Sequence, residues 1–126
     1  MIIDKPKIVE KQWGREEWLC NNSLYCGKLL YVNKDKHCSM HCHKLKTEDL
    51  YVLSGSIKLE HQYAVFRDGK IEKMGKIKEA VLNKGESVHI APCLLHRFTA
   101  LEENTVLVET STQHFDSDSH RVEFIG

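Results

Sequence analysis

Residues 39–55, SMHCHKLKTEDLYVLSG, decide how the chain is read. His41 and His43 stand two apart, Glu48 follows, and an apolar run over residues 50–53 closes on Ser54-Gly55. Alternate residues of a strand share a face, so both imidazoles can point to one side while Cys42 faces the other. A carboxylate close behind can join them around a metal, since two histidines and a carboxylate suit Zn, Fe, Mn or Ni. An exposed, wet strand face accounts for a lone His-x-His equally well. A distal partner has to decide between the two.

That partner lies in residues 85–100, GESVHIAPCLLHRFTA, where a turn glycine leads into a strand-like run, a break at Pro92 and then His96. The two stretches together resemble the paired motifs of the cupin superfamily. The resemblance implies an all-β fold, a small antiparallel β-barrel or double-stranded β-helix of jelly-roll type. It also implies one divalent metal ion (Zn, Mn, Ni, Co or Fe) bound inside by His41, His43, Glu48 and His96. Two departures fall in turns: Asp35 replaces the glycine that usually opens the first motif, and Ala91-Pro92-Cys93 replaces a usual Pro-x-Gly. Both leave the four implied ligands in place.

A chain of 126 residues is expected to form one domain over 1–126, with residues 1–12 as an N-terminal arm. Hydrophobic content of 41% with 29% charged residues is ordinary for a globular protein. Eighteen basic and eighteen acidic residues cancel, which argues against a nucleic-acid or anionic-membrane partner. No apolar run approaches the roughly 20 residues of a membrane span, and MIIDKPKIVEKQWG lacks a signal-peptide core, so a cytoplasmic protein is expected. Five cysteines without C-x-x-C spacing argue against a disulfide framework or a thiolate zinc site. They read as small apolar fillers, with Cys42 and Cys93 singled out for their closeness to presumed ligands.

Strand signals recur along the chain at intervals of about ten residues, the spacing of a sandwich or barrel. They cover 27–32, 50–53, 56–66, 71–74, 80–82, 87–90, 97–100 and 105–110, with Ile2-Ile3 and Ile8-Val9 as edge pieces around Pro6. Asp68-Gly69 is the strongest hairpin signal, because Asp-Gly readily takes the positive φ angles of a type I′ turn. No helical stripe is present. Val122, Phe124 and Ile125 are expected to pin the tail to the barrel.

A wider resemblance covers residues 11–124. The segments Gln12-Trp13-Gly14, Cys26-Gly27-Lys28-Leu29-Leu30, Tyr51-Val52-Leu53-Ser54-Gly55, His96-Arg97-Phe98 and Ser119-His120-Arg121-Val122-Glu123-Phe124 are similar to small cupins related to the type II mannose-6-phosphate isomerase domain. That resemblance implies a metal-dependent aldose–ketose isomerase of a sugar or sugar phosphate, the metal chelating a carbonyl and its neighbouring hydroxyl. Lys44 stands where such isomerases carry an arginine; lysine can hold a phosphate as a point charge but lacks the bidentate fork. Glu109 is a candidate general base, with Glu60 and His61 as others, each against the plain reading of a solvated strand residue. Lys28, Lys44 and Arg97 could hold an anion or simply face water, and Tyr51 and Phe98 read as core aromatics. Two other classes stay open: an iron oxygenase on the same four ligands, and a non-catalytic metal- or sugar-binding module. The expected partners are a small carbohydrate and a second copy of the chain, a homodimer exchanging the arm before Trp13 to cover open strand edges.

Overall fold

Period-two alternation and turn residues cut the chain into short strands, and the computed structural model, which describes residues 1–122, contains them in two antiparallel sheets. The strands are β1 (Lys7–Lys11), β2 (Gly14–Asn21), β3 (Cys26–Val32), β4 (His41–Cys42), β5 (Glu48–Ser54), β6 (Ser56–Arg67), β7 (Lys70–Asn83), β8 (Ser87–Ile90), β9 (Leu94–Ala100), β10 (Thr105–Ser111) and β11 (His120–Arg121). One sheet has the order β1-β2-β3-β10-β5-β8 and the other β11-β4-β9-β6-β7. This is the expected jelly-roll, built as two facing sheets rather than one hydrogen-bonded ring. Among the described residues the only helical piece is a 3-10 turn at Asp116–Asp118, and no helix is long and apolar enough to cross a membrane.

The sheets share a core. Leu30, Val32, Leu50, Val52 and Leu107 from the six-stranded sheet meet Ile57, Leu59, Phe98 and Ala100 from the five-stranded one. Trp13 closes this end, its ring edge-on to Phe98 at 5.3 Å. Each such side chain contributes about 1.5–3 kcal/mol on full burial. The inward rows change character along the strands. β3 runs Lys28, Leu30, Val32; β5 runs Glu48, Leu50, Val52; β9 runs His96, Phe98, Ala100. The antiparallel β10 supplies Leu107 opposite Leu30 and Glu109 opposite both Lys28 and Leu50. One end of the interior is therefore apolar and the other carries charge. A smaller cluster of Met40, Cys42, Ala64 and Leu95 covers the opposite face of β4 and β9.

Several expectations meet the structure at turns. Asp68 and Gly69 both have positive φ, 52° and 74°, as the type I′ hairpin requires. Asp35 (φ 65°) and Cys93 (φ 68°) keep the left-handed conformation that glycine would supply. Their amides donate to Ala100 O at 2.9 Å and His43 O at 2.6 Å, which ties both turns down. The separate strands expected at 71–74 and 80–82 are one strand, β7. A bulge hides the continuity: the β6 register shifts between His61 and Tyr63, Gly75 takes φ 76°, and Gln62 Nε2 donates to Gly75 O at 2.7 Å. Ile8 and Val9 lie in the edge strand β1, while Ile2 and Ile3 precede it without regular structure, 86% and 85% exposed. Val122 donates its amide to Met40 O and packs on the second cluster; Phe124 and Ile125 lie outside the described residues.

Gly55 joins β5 to β6 at φ 76°, and a Cβ there would overlap Thr105 Oγ1 and come within 2.8 Å of Thr105 Cα. Gly55→Ala is expected to lower unfolding stability by about 2–4 kcal/mol, backbone strain plus overpacking. Chemical denaturation checks it, and a loss under about 0.5 kcal/mol, the scale of an ordinary surface change, would contradict the reading.

Candidate metal centre

The polar end of the interior opens into a cavity of about 640 Å³, within the roughly 300–1,000 Å³ of small-molecule sites. His41 on β4 pairs in register with His96 on β9, and His43 follows one residue beyond β4. The alternation places these imidazoles inward and Cys42 outward, as the spacing requires. Their ligand atoms lie within 4.8 Å of one another. Each ring is fixed from behind: Nδ1 of His41, His43 and His96 lies 2.8, 3.0 and 2.9 Å from the carbonyl oxygens of Ser39, Asp118 and Leu94. A carbonyl only accepts, so each Nδ1 carries the proton and each Nε2 turns a lone pair toward the cavity. Burial lowers all three pKa values, to about 4 for His96, and keeps the rings neutral near pH 7.

Glu48, at the start of β5, completes the cluster. Its Oε1 lies 3.2 Å from His96 Nε2 and 3.7 Å from His43 Nε2, and is buried with no hydrogen-bond partner. Imidazole lone pairs facing a carboxylate oxygen repel unless a cation or a proton sits among them. Burial, and then the Glu109 carboxylate, push Glu48 up to about 8. Three neutral imidazoles and an orphaned buried carboxylate oxygen are the donor set that a divalent metal fits.

Behind this set lies a buried ion network. Lys46 Nζ donates to Glu109 Oε2 at 3.1 Å, lies 3.7 Å from Glu48 Oε2, and donates to His114 Nδ1 at 3.2 Å. His114 therefore carries its proton on Nε2, which donates to Asp116 at 3.0 Å. Lys28 stands 4.0 Å from Glu109 and 3.8 Å from Glu16, with its ammonium 4.1 Å from the centroid of the Trp18 ring. Burial pushes Glu109 up, yet Lys46 and Lys28 outweigh it and hold the carboxyl low, at about 2. Burial likewise lowers Lys46, and Glu109 and Glu48 outweigh it in raising the ammonium.

The sequence-predicted residues divide. His41, His43, Glu48, His96, Glu109 and Lys28 all line the cavity. Lys44 does not: it is exposed, with Nζ 4.5 Å from the Phe66 ring centroid on the other side of its loop, and Lys46 takes the inward place. Glu60 and Arg97 bind each other across β6 and β9 at 2.8 and 3.0 Å, away from the cavity. Cys42 is buried in the second cluster, and burial pushes its thiol to about 11. Sequence reading missed Lys46, His114 and Asp118. Asp118 is a hub: its buried carboxylate accepts the amides of Lys44, Leu45 and Lys46 at 2.9–3.2 Å while its carbonyl orients His43.

The family model described as D-lyxose isomerase matches residues 12–62 and 52–123. The chain belongs to the D-lyxose isomerase family. Among solved structures, the capsular polysaccharide assembling protein CapF of Staphylococcus aureus aligns with TM-score 0.78 and 18% identity over 97% of this chain and 34% of CapF. KdgF from Halomonas sp. aligns with TM-score 0.63 and 14% identity, over 82% of this chain and 81% of KdgF. Oxalate decarboxylase of Lactobacillus farciminis gives TM-score 0.73 and 11% identity over 97% of this chain and 37% of the enzyme. The chain thus spans about a third of CapF and of the decarboxylase. These likenesses establish the cupin fold. No match was found among curated proteins.

Asp118→Ala should strand three loop amides and the Lys46 position together. A loss of about 2–4 kcal/mol is expected, with Asp118→Asn retaining part of it, since hydrogen bonds to a charged acceptor contribute about 1.5–3 kcal/mol. Equilibrium unfolding measures this; stabilities equal to the unsubstituted chain would remove Asp118 from its role.

Proposed function

We propose that the chain is a metal-dependent aldose–ketose isomerase acting on a sugar of lyxose or mannose configuration. The observation carrying this is the convergence of three imidazole lone pairs on the orphaned Glu48 oxygen, with the Lys46–Glu109 pair directly behind. Membership of the D-lyxose isomerase family supports the same chemistry. His41, His43, Glu48 and His96 would hold one divalent ion. Bound there, such an ion polarises a sugar carbonyl and its neighbouring hydroxyl.

The chain's own residues handle the proton. Glu109 is ionised at neutral pH and accepts the proton from C2 of the aldose as the C2–H bond breaks. It returns a proton to C1 of the enediol, while the O2 hydroxyl proton passes to O1, so that C2 becomes the carbonyl carbon and O1 the hydroxyl. Lys46, 3.1 Å from Glu109, keeps the carboxylate ionised and in place beside the cavity. Between the two transfers the proton held on Glu109 exchanges with solvent through the cavity mouth. This chemistry serves a free sugar and its phosphate alike, the mannose-6-phosphate isomerase reaction included, and choosing between them falls to the cavity mouth.

The test is a screen of lyxose, mannose and their phosphates in deuterated water, read by proton NMR. Deuterium at C2 that disappears on chelation is the expected result. Glu109→Gln should lower turnover by roughly a hundredfold or more, the scale of a positioned acid or base, with metal content retained. His96→Ala should abolish stoichiometric metal by mass spectrometry. No exchange in any sugar with metal fully loaded would overturn the isomerase, and iron with oxygen uptake would put an oxygenase in its place.

We also propose a homodimer. Ile2 and Ile3 stand exposed beside the unpaired edge strand β1, and Tyr51 and Leu53 (40% and 46% exposed) lie on the outer face of the same sheet. Sedimentation at tens of micromolar, an ordinary working concentration, should give twice the chain mass; a monomer there contradicts it.

A further inference from the structure

Two free sheet edges flank the cavity mouth: β1 ends the six-stranded sheet and β11 ends the five-stranded one. Both send cations to it. Lys7 and Lys11, at alternate positions of β1, and Arg121 on β11 line the cavity, whereas Ile8 and Glu10 between the lysines do not. Deeper inside, every cation is matched. Lys46 has Glu109 and Glu48, and Lys28 has Glu109 and Glu16. At the mouth, none of Lys7, Lys11 and Arg121 has an ion pair among the described residues. Asp116, the acid on the same rim, accepts a hydrogen bond from His114 at 3.0 Å and keeps its charge, so three cations share the rim with one carboxylate. Lys7 and Lys28 also crowd one indole, their ammonium groups 4.7 and 4.1 Å from the Trp18 ring centroid.

The mouth connects to the histidines by a short series of contacts. Glu48 stands 3.2 Å from His96, Lys46 3.7 Å from Glu48, and Glu109 3.1 Å from Lys46. Lys28 follows at 4.0 Å and Trp18 links it to Lys7. A molecule with its carbonyl at the histidines would bring its far end toward a net positive charge. A neutral sugar offers hydroxyl acceptors there and no charge to offset.

We infer that the mouth is an anion subsite and that the substrate is a sugar carrying an acidic group, phosphate or carboxylate, at the end remote from its carbonyl. The inference rests on the isomerase reading for the placement of the carbonyl end. Lys7, Lys11 and Arg121 then set specificity from two different edges, and β1 becomes part of the site rather than a mere arm.

The test compares mannose, mannose 6-phosphate and mannuronate on metal-loaded protein, by calorimetric Kd and separately by kcat/KM. At least one acidic sugar should bind about tenfold more tightly than mannose, as expected for a few exposed charge contacts. The preference should shrink at about 0.5 M salt, where rim charges are screened. The triple variant Lys7→Gln, Lys11→Gln, Arg121→Gln should bring the affinity ratio near one. Lys73→Gln with Lys76→Gln, on the exposed β6–β7 hairpin, should leave it as it was. Tight binding of the phosphate alone or of the uronate alone names the acidic group. Equal affinities for all three sugars, or a preference that survives the triple variant, overturns the subsite. Because Kd is read without turnover, the failures separate. Binding of an acidic sugar without C2 exchange removes the isomerase and keeps the subsite. Exchange in mannose with no acidic preference does the reverse.

Discussion

The Lys46 ammonium, lodged between the Glu109 and Glu48 carboxylates, is the interaction on which the site depends. Three charges buried to 3–6% exposure are tolerable only as a set. Desolvation costs several kcal/mol per ion, and mutual attraction returns it only where geometry is good. Removing the lysine would leave two carboxylates facing each other beside three imidazole lone pairs. That arrangement explains why the loop carrying Lys46 is held so firmly by the Asp118 carboxylate, through each of the amides of Lys44, Leu45 and Lys46. It also explains why the orphaned Glu48 oxygen points to the histidines: its second oxygen already faces Lys46.

The interior is partitioned along each strand. One residue separates Lys28 from Leu30, Glu48 from Leu50, and His96 from Phe98, and at each step the inward face passes from chemistry to core. The antiparallel register aligns these steps across strands, Lys28 with Glu109 and Leu30 with Leu107. The apolar end supplies hydrophobic stabilisation, and the site end can then hold charge and open volume without undermining the fold. Gly55 shows how tightly the apolar end is drawn in, since the Thr105 backbone sits where a side chain would begin.

Much of this was legible in the sequence, and the limits are physical. Alternation and turns indicated a sandwich or barrel, the resemblance to the cupin motifs implied the jelly-roll, and both glycine departures still produced left-handed turns at Asp35 and Cys93. The histidine pair was readable because His41 sits on a strand, where direction follows from position, and His43 comes directly after it. Lys46 was not, because residues 43–47 lie outside strands and a loop side chain has no periodicity to declare its direction. Lys44, two residues earlier, attracted the reading by analogy of place alone. Lys28 did carry a usable signal: in CGKLLYV it shares a face with Leu30 and Val32, so an inward lysine was written in the alternation. Glu109 was harder, since TVLVETS is apolar on both faces. Asp118 and His114 come from a polar tail with no pattern, and only the folded chain reveals what they touch.

Asp118 shows how chemistry and architecture are joined. Its carbonyl sets the tautomer of His43, and its carboxylate sets the loop that delivers Lys46. The same short segment then continues into β11, which pairs His120 with Cys42 and Arg121 with His41 and closes the edge of the histidine sheet. A chain that must orient three rings without lengthening the barrel has few backbone carbonyls to spare. Ser39 and Leu94 each lie two residues from the ring they fix, whereas His43, just beyond β4, takes its carbonyl from Asp118, 75 positions on. The tail supplies it. The segment after β10 is thereby a structural part of the candidate metal centre, which accounts for a polar, patternless sequence holding a fixed position against the open side of the site.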